Sequence, residues 1–490
     1  MKKFFLLFAA LMVVLIVVLL FRTIMVSSEK NSIFSKSSAP LLAEELQVSH
    51  NLSRAIQFQT ISHHDSSKFN FQAFRNFHIF LAEIFPNLHS NLEKEVVGDY
   101  SLLYHWRGQD SALKPILFLA HQDVVPVLPG SKTNWQYPPF DGRNDGTYIW
   151  GRGALDDKAS LLGILEAAEI LLQEGFQPRR SIYFAFGHDE EIGGKNGAGN
   201  IAKKLETHGL KFELILDEGA AIVEGMVPGI ELPVALIGVA EKGYVSLELT
   251  TKVTGGHSSM PPRNTAVGII SKAITQLEEK PFPANMKYVN RFLEGIAAQA
   301  PFAQRIIFAN LWRFNPLVEN IFSKNPSTDA LLRTTTATTM FNGSDKDNVL
   351  PDKASAVINF RILPGETVES VIDYVKSAVD DPRITITPIN VFNNPSPVSR
   401  TDSKSYKFLE KTIGELSSKE EIIIAPFLVL AGTDAKHYSN LSDNIFRFLF
   451  IKMQPEDIQR VHGINERISI ENYHNSIRFY YQLIRNSDEL

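Results

Sequence analysis

Three short, largely apolar runs, at residues 116–120, 181–186 and 214–216, each lead into acidic residues or a histidine. No other feature of the sequence restricts the fold as much. Continuous runs of this length, bounded by Gly, Pro and charged residues, suit buried strands of a mostly parallel sheet. Between the first two, residues 158–173 place Ala159, Leu162, Leu165, Ala168, Ile170 and Leu172 at helical spacing, and Gly175 and Pro178 close the segment. The alternation predicts an α/β fold. Sheets of this kind take their ligands at the C-terminal ends of strands. His121-Gln122-Asp123, Glu190-Glu191 and Asp217-Glu218 stand at those ends, and Asp156-Asp157 precedes the helix.

Taken singly, each of these motifs has an ordinary structural reading. A histidine hydrogen-bonds a nearby carboxylate, an Asp pair caps a helix, and adjacent glutamates are solvated. Gathered into one crevice, the like charges are costly unless a cation neutralises them. The 490 residues include no cysteine, so any metal must be held by His, Asp and Glu. Hard carboxylates with a few imidazoles suit Zn²⁺, with Co²⁺ or Mn²⁺ as substitutes.

A chain of this length exceeds a single core, which stops growing near ~250–300 residues. The texture changes near Gly243: residues 244–253 and 354–362 alternate as half-buried antiparallel strands, and 265–279 and 367–379 read as helices. One domain, over 41–242 and 389–490, is thus expected to be interrupted by a smaller α+β domain over 243–388. Residues 285–329, rich in Phe and Trp, read as a helical insertion within it.

At the N-terminus Lys2 and Lys3 precede eighteen apolar residues, 4–21, closed by Arg22. At about 1.5 Å per residue they nearly cross a bilayer core of about 30 Å. No small-x-small cleavage site follows, which favours a single-pass anchor over a cleaved signal; the alternative is secretion after cleavage. The lysines then lie on the cytoplasmic side and the body outside the cytosol. Residues 1–40 are read as anchor and Ser/Lys-rich tether. Sequons stand at Asn51, Asn342 and Asn440. A net charge of -5, with no long basic run, gives no electrostatic case for nucleic acid.

The ordered set of motifs resembles the co-catalytic di-zinc amidohydrolases, the family of aminoacylase and carboxypeptidase S. It comprises His121-Gln122-Asp123, residues 151–158, residues 187–194, Asp217-Glu218-Gly219 and Gly255-Gly256-His257-Ser258-Ser259. Asn348-Val349-Leu350-Pro351, Arg361 with Pro364-Gly365, Gly432-Thr433-Asp434 and His462-Gly463-Ile464-Asn465-Glu466 complete it. The wording of residues 187–194 and 462–466 is most similar to the carboxypeptidase S branch, which includes an N-fatty-acyl amino acid synthase/hydrolase.

The resemblance implies hydrolysis of the amide bond of N-acyl amino acids or of peptides with a free C-terminal carboxylate. A carboxypeptidase or dipeptidase is the alternative within the family. A silent binding protein on the same fold would lack a ligand or the base, and none is missing. The resemblance implies two zinc ions per subunit, one held by His121, Asp156 and Asp217, the other by Asp156, Glu191 and His462. In Asp217-Glu218 either carboxylate could be the ligand, and the spacing from Glu191 favours Asp217. Asp123 would orient His121. Glu190 would be the general base, taking a proton from the bridging water and passing it to the leaving amine. His257 would donate to the oxyanion, often from a partner subunit, so the smaller domain is expected to serve as lid and as the surface of a homodimer. Arg361 would pair with the substrate carboxylate, helped by Asn348 and the backbone around Gly432 and Thr433.

Overall fold

The computed structural model describes residues 1–28, 45–128, 130–417 and 421–490; the expected tether beyond residue 28 and up to 40 lies outside them. A ten-stranded sheet forms the larger unit. Its order is Glu93–Val97, Ser101–Trp106, Ile182–Gly187, Ile116–His121, Leu214–Asp217, Ile445–Arg447, Val234–Glu241, Ile222–Val223 and Lys452–Met453, with Ile423–Val429 beside Val234–Glu241. The sheet is mixed, but its centre is parallel: Ile182–Gly187, Ile116–His121, Leu214–Asp217 and Ile445–Arg447 run the same way. His121 stands opposite Gly187 and Asp217 opposite Arg447, so the chemistry-bearing strand ends come side by side.

Every residue of Ile116–His121 is buried, because helices cover both faces. The Lys158–Gln173 and Ile470–Asn486 helices share a core with one face, and the Ala198–Thr207 helix packs on the other. The α/β expectation holds, and the Lys158–Gln173 helix ends where its apolar spacing ends. Asn51 is buried and its Nδ2 donates to Glu166 Oε1 at 2.8 Å, so that sequon is closed to modification in the folded chain.

A second, four-stranded antiparallel sheet runs Thr335–Asn342, Lys353–Ile362, Gly243–Lys252, Ile384–Asn393 and has its own core. Its two helices start at side-chain caps: Thr265 Oγ1 accepts from Gly268 N, and Thr367 Oγ1 from Ser370 N. Such caps contribute about 1 kcal/mol each. The edge strand Thr335–Asn342 is mostly exposed and carries no apolar alternation, which is why its sequence gives no strand signal.

In residues 285–329 the helices Lys287–Ile296, Phe302–Phe308, Leu311–Phe322 and Pro326–Leu332 cover most of the segment. Although they interrupt the smaller unit in sequence, they pack on the larger sheet. Val289, Leu293 and Ile296 share a core with Val234, Leu236, Ile423 and Ala425.

Candidate metal centre

His121 ends its strand with its imidazole buried. Its Nδ1 lies 3.0 Å from the Asp123 carbonyl and 3.3 Å from Asp123 Oδ1. Its Nε2 lies 2.9 Å from Asp156 Oδ1 and 3.8 Å from Glu218 Oε1. On the far side of Asp156, His462 Nε2 lies 3.0 Å from Asp156 Oδ2 and 3.1 Å from Glu191 Oε2. The residues thus form two groups, His121–Asp156–Glu218 and Asp156–Glu191–His462, each with its ligand atoms within 4.8 Å of one another. Asp156 belongs to both. The His462 side chain is 52% exposed, which leaves the crevice open on that side.

The structure bears on the choice between Asp217 and Glu218. Asp217, favoured by spacing, has both oxygens engaged within the protein: its Oδ1 accepts from Glu218 N at 3.0 Å and its Oδ2 from Ala435 N at 2.7 Å. Successive residues at a strand end point to opposite faces. Asp217 therefore ties the strand to the turn at Ala435, and Glu218 is the carboxylate that reaches His121.

Asp123 does more than accompany His121. Its Oδ1 accepts the Glu190 amide and its Oδ2 the Glu191 amide, both at 3.1 Å, and Oδ2 also accepts from Ser62 Oγ at 2.6 Å. One buried carboxylate thereby sets the imidazole and both glutamates. Glu190 itself lies in neither group; its Oε1 is 3.9 Å from Lys436 Nζ. Lys436 has no counterpart in the sequence reading, since a lysine after Gly432-Thr433-Asp434 looks like any solvated one. His188 and His437, close to the motifs in sequence, are held by Ser101 Oγ at 2.7 Å and the Gly193 carbonyl at 2.9 Å.

Glu466 closes the 462–466 motif, but the sequence assigns it no role. Fully buried, it accepts the amides of Gly153, Leu155 and Asp156 on Oε1 at 3.0, 2.9 and 3.2 Å, and Arg152 Nη1 on Oε2 at 2.5 Å. Arg152 Nη2 in turn donates to the carbonyls of His462 and Gly463. This clasp fixes the Asp156 turn against the His462 turn. Removing one partner of a buried pair leaves an uncompensated charge, at a cost of about 3–5 kcal/mol. Glu466→Ala is therefore expected to lower the denaturant midpoint by that much stability, and an unchanged midpoint would show that the clasp does not hold the two turns.

The electrostatics match the donor set. Burial pushes Glu190 up to about 8, against the pull of His121 and Lys436. Burial likewise raises Glu191 to about 7 and Glu218 well above the usual carboxylate range. Hydrogen bonds to Asp156 and Glu191 raise His462 to about 10. Asp156 is held low in spite of burial by its hydrogen bonds with His121 and His462. Protons on the imidazoles thus balance the crowded carboxylates, the place a divalent cation would take. Glu191 Oε1 is buried with no hydrogen-bond partner, so its lone pairs are left unused beside the second group. Two imidazoles, three carboxylates and no thiol fit a hard or borderline divalent ion.

The remaining expected residues lie elsewhere. His257 is exposed on a two-stranded ribbon opposite Val349, its Nδ1 accepting from Ser259 N; it makes no hydrogen bond or ion pair with the metal-type groups. Asn348 adjoins it, its carbonyl accepting from Ser258 N at 3.3 Å. Arg361 sits half-buried on the small sheet with its guanidinium 4.9 Å from the centre of the Tyr244 ring, and among the described residues no carboxylate pairs with it. Thr433 donates through N and Oγ1 to buried Glu241, which fixes the turn that follows Gly432.

Residues 117–486 match the model of peptidase family M20/M25/M40. The chain is 44% identical over 449 residues to a probable carboxypeptidase S-like protein of Dictyostelium discoideum, covering 91% of this chain and 86% of that one. It is 42% identical over 451 residues to an N-fatty-acyl-amino acid synthase/hydrolase of Xenopus tropicalis, with the same coverage. An M20 family metallo-carboxypeptidase from Sulfolobus solfataricus shares the fold, with a TM-score of 0.67 at 18% identity over 92% of this chain and 100% of that one. A match over most of the chain, with relatives well above 30% identity, places it: the protein belongs to peptidase family M20/M25/M40 and is a hydrolase of that family.

Proposed function

We propose that the protein hydrolyses the amide bond of N-acyl amino acids or of peptides bearing a free C-terminal carboxylate, as a zinc enzyme tethered to a membrane by its N-terminal helix. The observation that carries this reading is Asp156 shared between two groups that each hold one imidazole and one further carboxylate. His121 and Glu218 would hold one Zn²⁺ with Asp156, and Glu191 and His462 the other; Co²⁺ or Mn²⁺ could substitute. When bound, the ions polarise the scissile carbonyl and acidify water.

The chain's own groups supply the rest. Glu190 takes a proton from the attacking water and returns it to the leaving amine; burial raises its carboxyl, which helps it hold the proton between the two steps. Asp123 orients His121 and holds the Glu190 backbone. His257, which makes no hydrogen bond or ion pair with the metal-type groups of its own chain, would donate to the oxyanion of a partner subunit in a homodimer. Asn348 and the Gly432-Thr433 backbone would line the substrate site.

Arg361 supports the substrate class, because a half-buried guanidinium without a carboxylate is suited to clamp one. A charge-assisted bidentate contact there is worth about 1.5–3 kcal/mol. Arg361→Ala is expected to lower kcat/KM by roughly 10- to 200-fold on N-acyl amino acids, and Arg361→Lys to restore it only in part. Substrates with an amidated carboxylate should be poor from the start and lose little more. Equal losses on the two forms would give Arg361 a structural role instead. A panel of N-acyl amino acids and dipeptides with the same proteins also separates the two activities that the relatives' names carry.

A further inference from the structure

Among the described residues, the Lys2–Ser28 helix meets the rest of the protein near its C-terminal end. Thr23 is buried, Arg22 Nε donates to the Ala309 carbonyl at 3.1 Å, and Asn310 Nδ2 donates to the Leu19 carbonyl at 3.2 Å. Before Leu19 the helix stands exposed, apart from a partly covered Leu15. That bare stretch, from Phe4 to Val18, is on the order of 20 Å long, so a bilayer core of about 30 Å enclosing it reaches the level of Leu19–Thr23.

At that level lie two helices of the insertion, Phe302–Phe308 and Leu311–Phe322, joined through Ala309 and Asn310. The second is amphipathic in an unusual sense. Leu311 and Val318 are buried against the body, while Trp312, Leu317 and Ile321 are 57%, 46% and 53% exposed around a side that also exposes Arg313 and Asn320, with Phe302 of the first helix at 58%. Four large apolar side chains open to water in one short hairpin are more than an ordinary surface segment carries.

We infer that this hairpin rests on the bilayer, its Trp312, Leu317, Ile321 and Phe302 side chains entering the headgroup–acyl boundary, so that the protein meets the membrane through a surface as well as a spanning helix. The occupant follows from the contact at Leu19–Thr23, which puts the hairpin beside the point where the helix leaves the hydrocarbon. Tryptophan at that depth is the residue type such boundaries favour, and the exposed Arg313 is a side chain that can reach the headgroups from the same level. The inference rests on the membrane-tether reading of the N-terminal helix.

Trp312 makes it measurable, since Trp106, Trp135 and Trp150 are all buried in the body. The full chain would be reconstituted into phosphatidylcholine vesicles, recovered by flotation, and its fluorescence quenched with dibrominated phosphatidylcholine and, separately, with aqueous iodide. Bromolipid should quench strongly and iodide weakly; Trp312→Phe should abolish the bromolipid quenching, and Leu317→Asp with Ile321→Asp should reduce it and admit iodide. A chain that floats while Trp312 is quenched by iodide and not by bromolipid overturns the docking alone. Shielding from both quenchers would put a second copy over the patch and also overturns it. A chain that fails to float overturns the tether and the docking together.

Discussion

Glu190→Gln is expected to lower kcat by roughly 10²- to 10⁴-fold while metal content and fold survive. The substitution keeps the shape of the side chain and removes its capacity to take a proton. Glu190 lies outside both metal-type groups, and its backbone amide is held by Asp123 Oδ1, so the amide side chain should occupy the same place. Glu191→Gln is the control: with one oxygen 3.1 Å from His462 and the other unpartnered, Glu191 should take metal with it when it goes. Measuring kcat and bound metal on both variants settles the assignment. Metal lost from Glu190→Gln and kept by Glu191→Gln would exchange their roles.

Metal removal should have the largest effect of all. Because every candidate ligand is His, Asp or Glu, chelation is expected to abolish activity and Zn²⁺ to restore it; active protein with only trace divalent metal would end the mechanism. The same measurement tests the exchange of Asp217 for Glu218. Glu218→Gln should lose metal and activity by more than the ~10- to 100-fold typical of groups that only orient a ligand. Asp217→Asn should keep its metal. It would instead set an amide N–H against one of the two backbone N–H groups that Asp217 now accepts, at a cost of about 1–3 kcal/mol in stability. Metal loss from Asp217→Asn with retention in Glu218→Gln would reinstate Asp217.

The parallel centre of the large sheet, the Lys158–Gln173 helix and the two capped helices of the small sheet are legible in the sequence, because each rests on local periodicity or a cap. So is the kind of chemistry. Acidic residues and histidines at successive strand ends, with no cysteine present, already call for a hard or borderline cation. The edge strand Thr335–Asn342 escapes, since an exposed strand of threonines has no apolar alternation to read.

What the tertiary structure alone decides concerns direction and distant partners. Whether Asp217 or Glu218 turns toward His121 depends on which face of the strand end meets the turn at Ala435, and that turn lies 218 positions away. The Glu466–Arg152 clasp joins residues 314 positions apart. That clasp, with the pairing of Arg467–Ser469 on Tyr148–Trp150, brings the His462 turn to the Asp156 turn. Residue type and spacing travel with the chain, so the sequence by itself determined the α/β class and the donor chemistry. Side-chain direction and pairing are set by the packing of segments remote in sequence, and no local pattern encodes them.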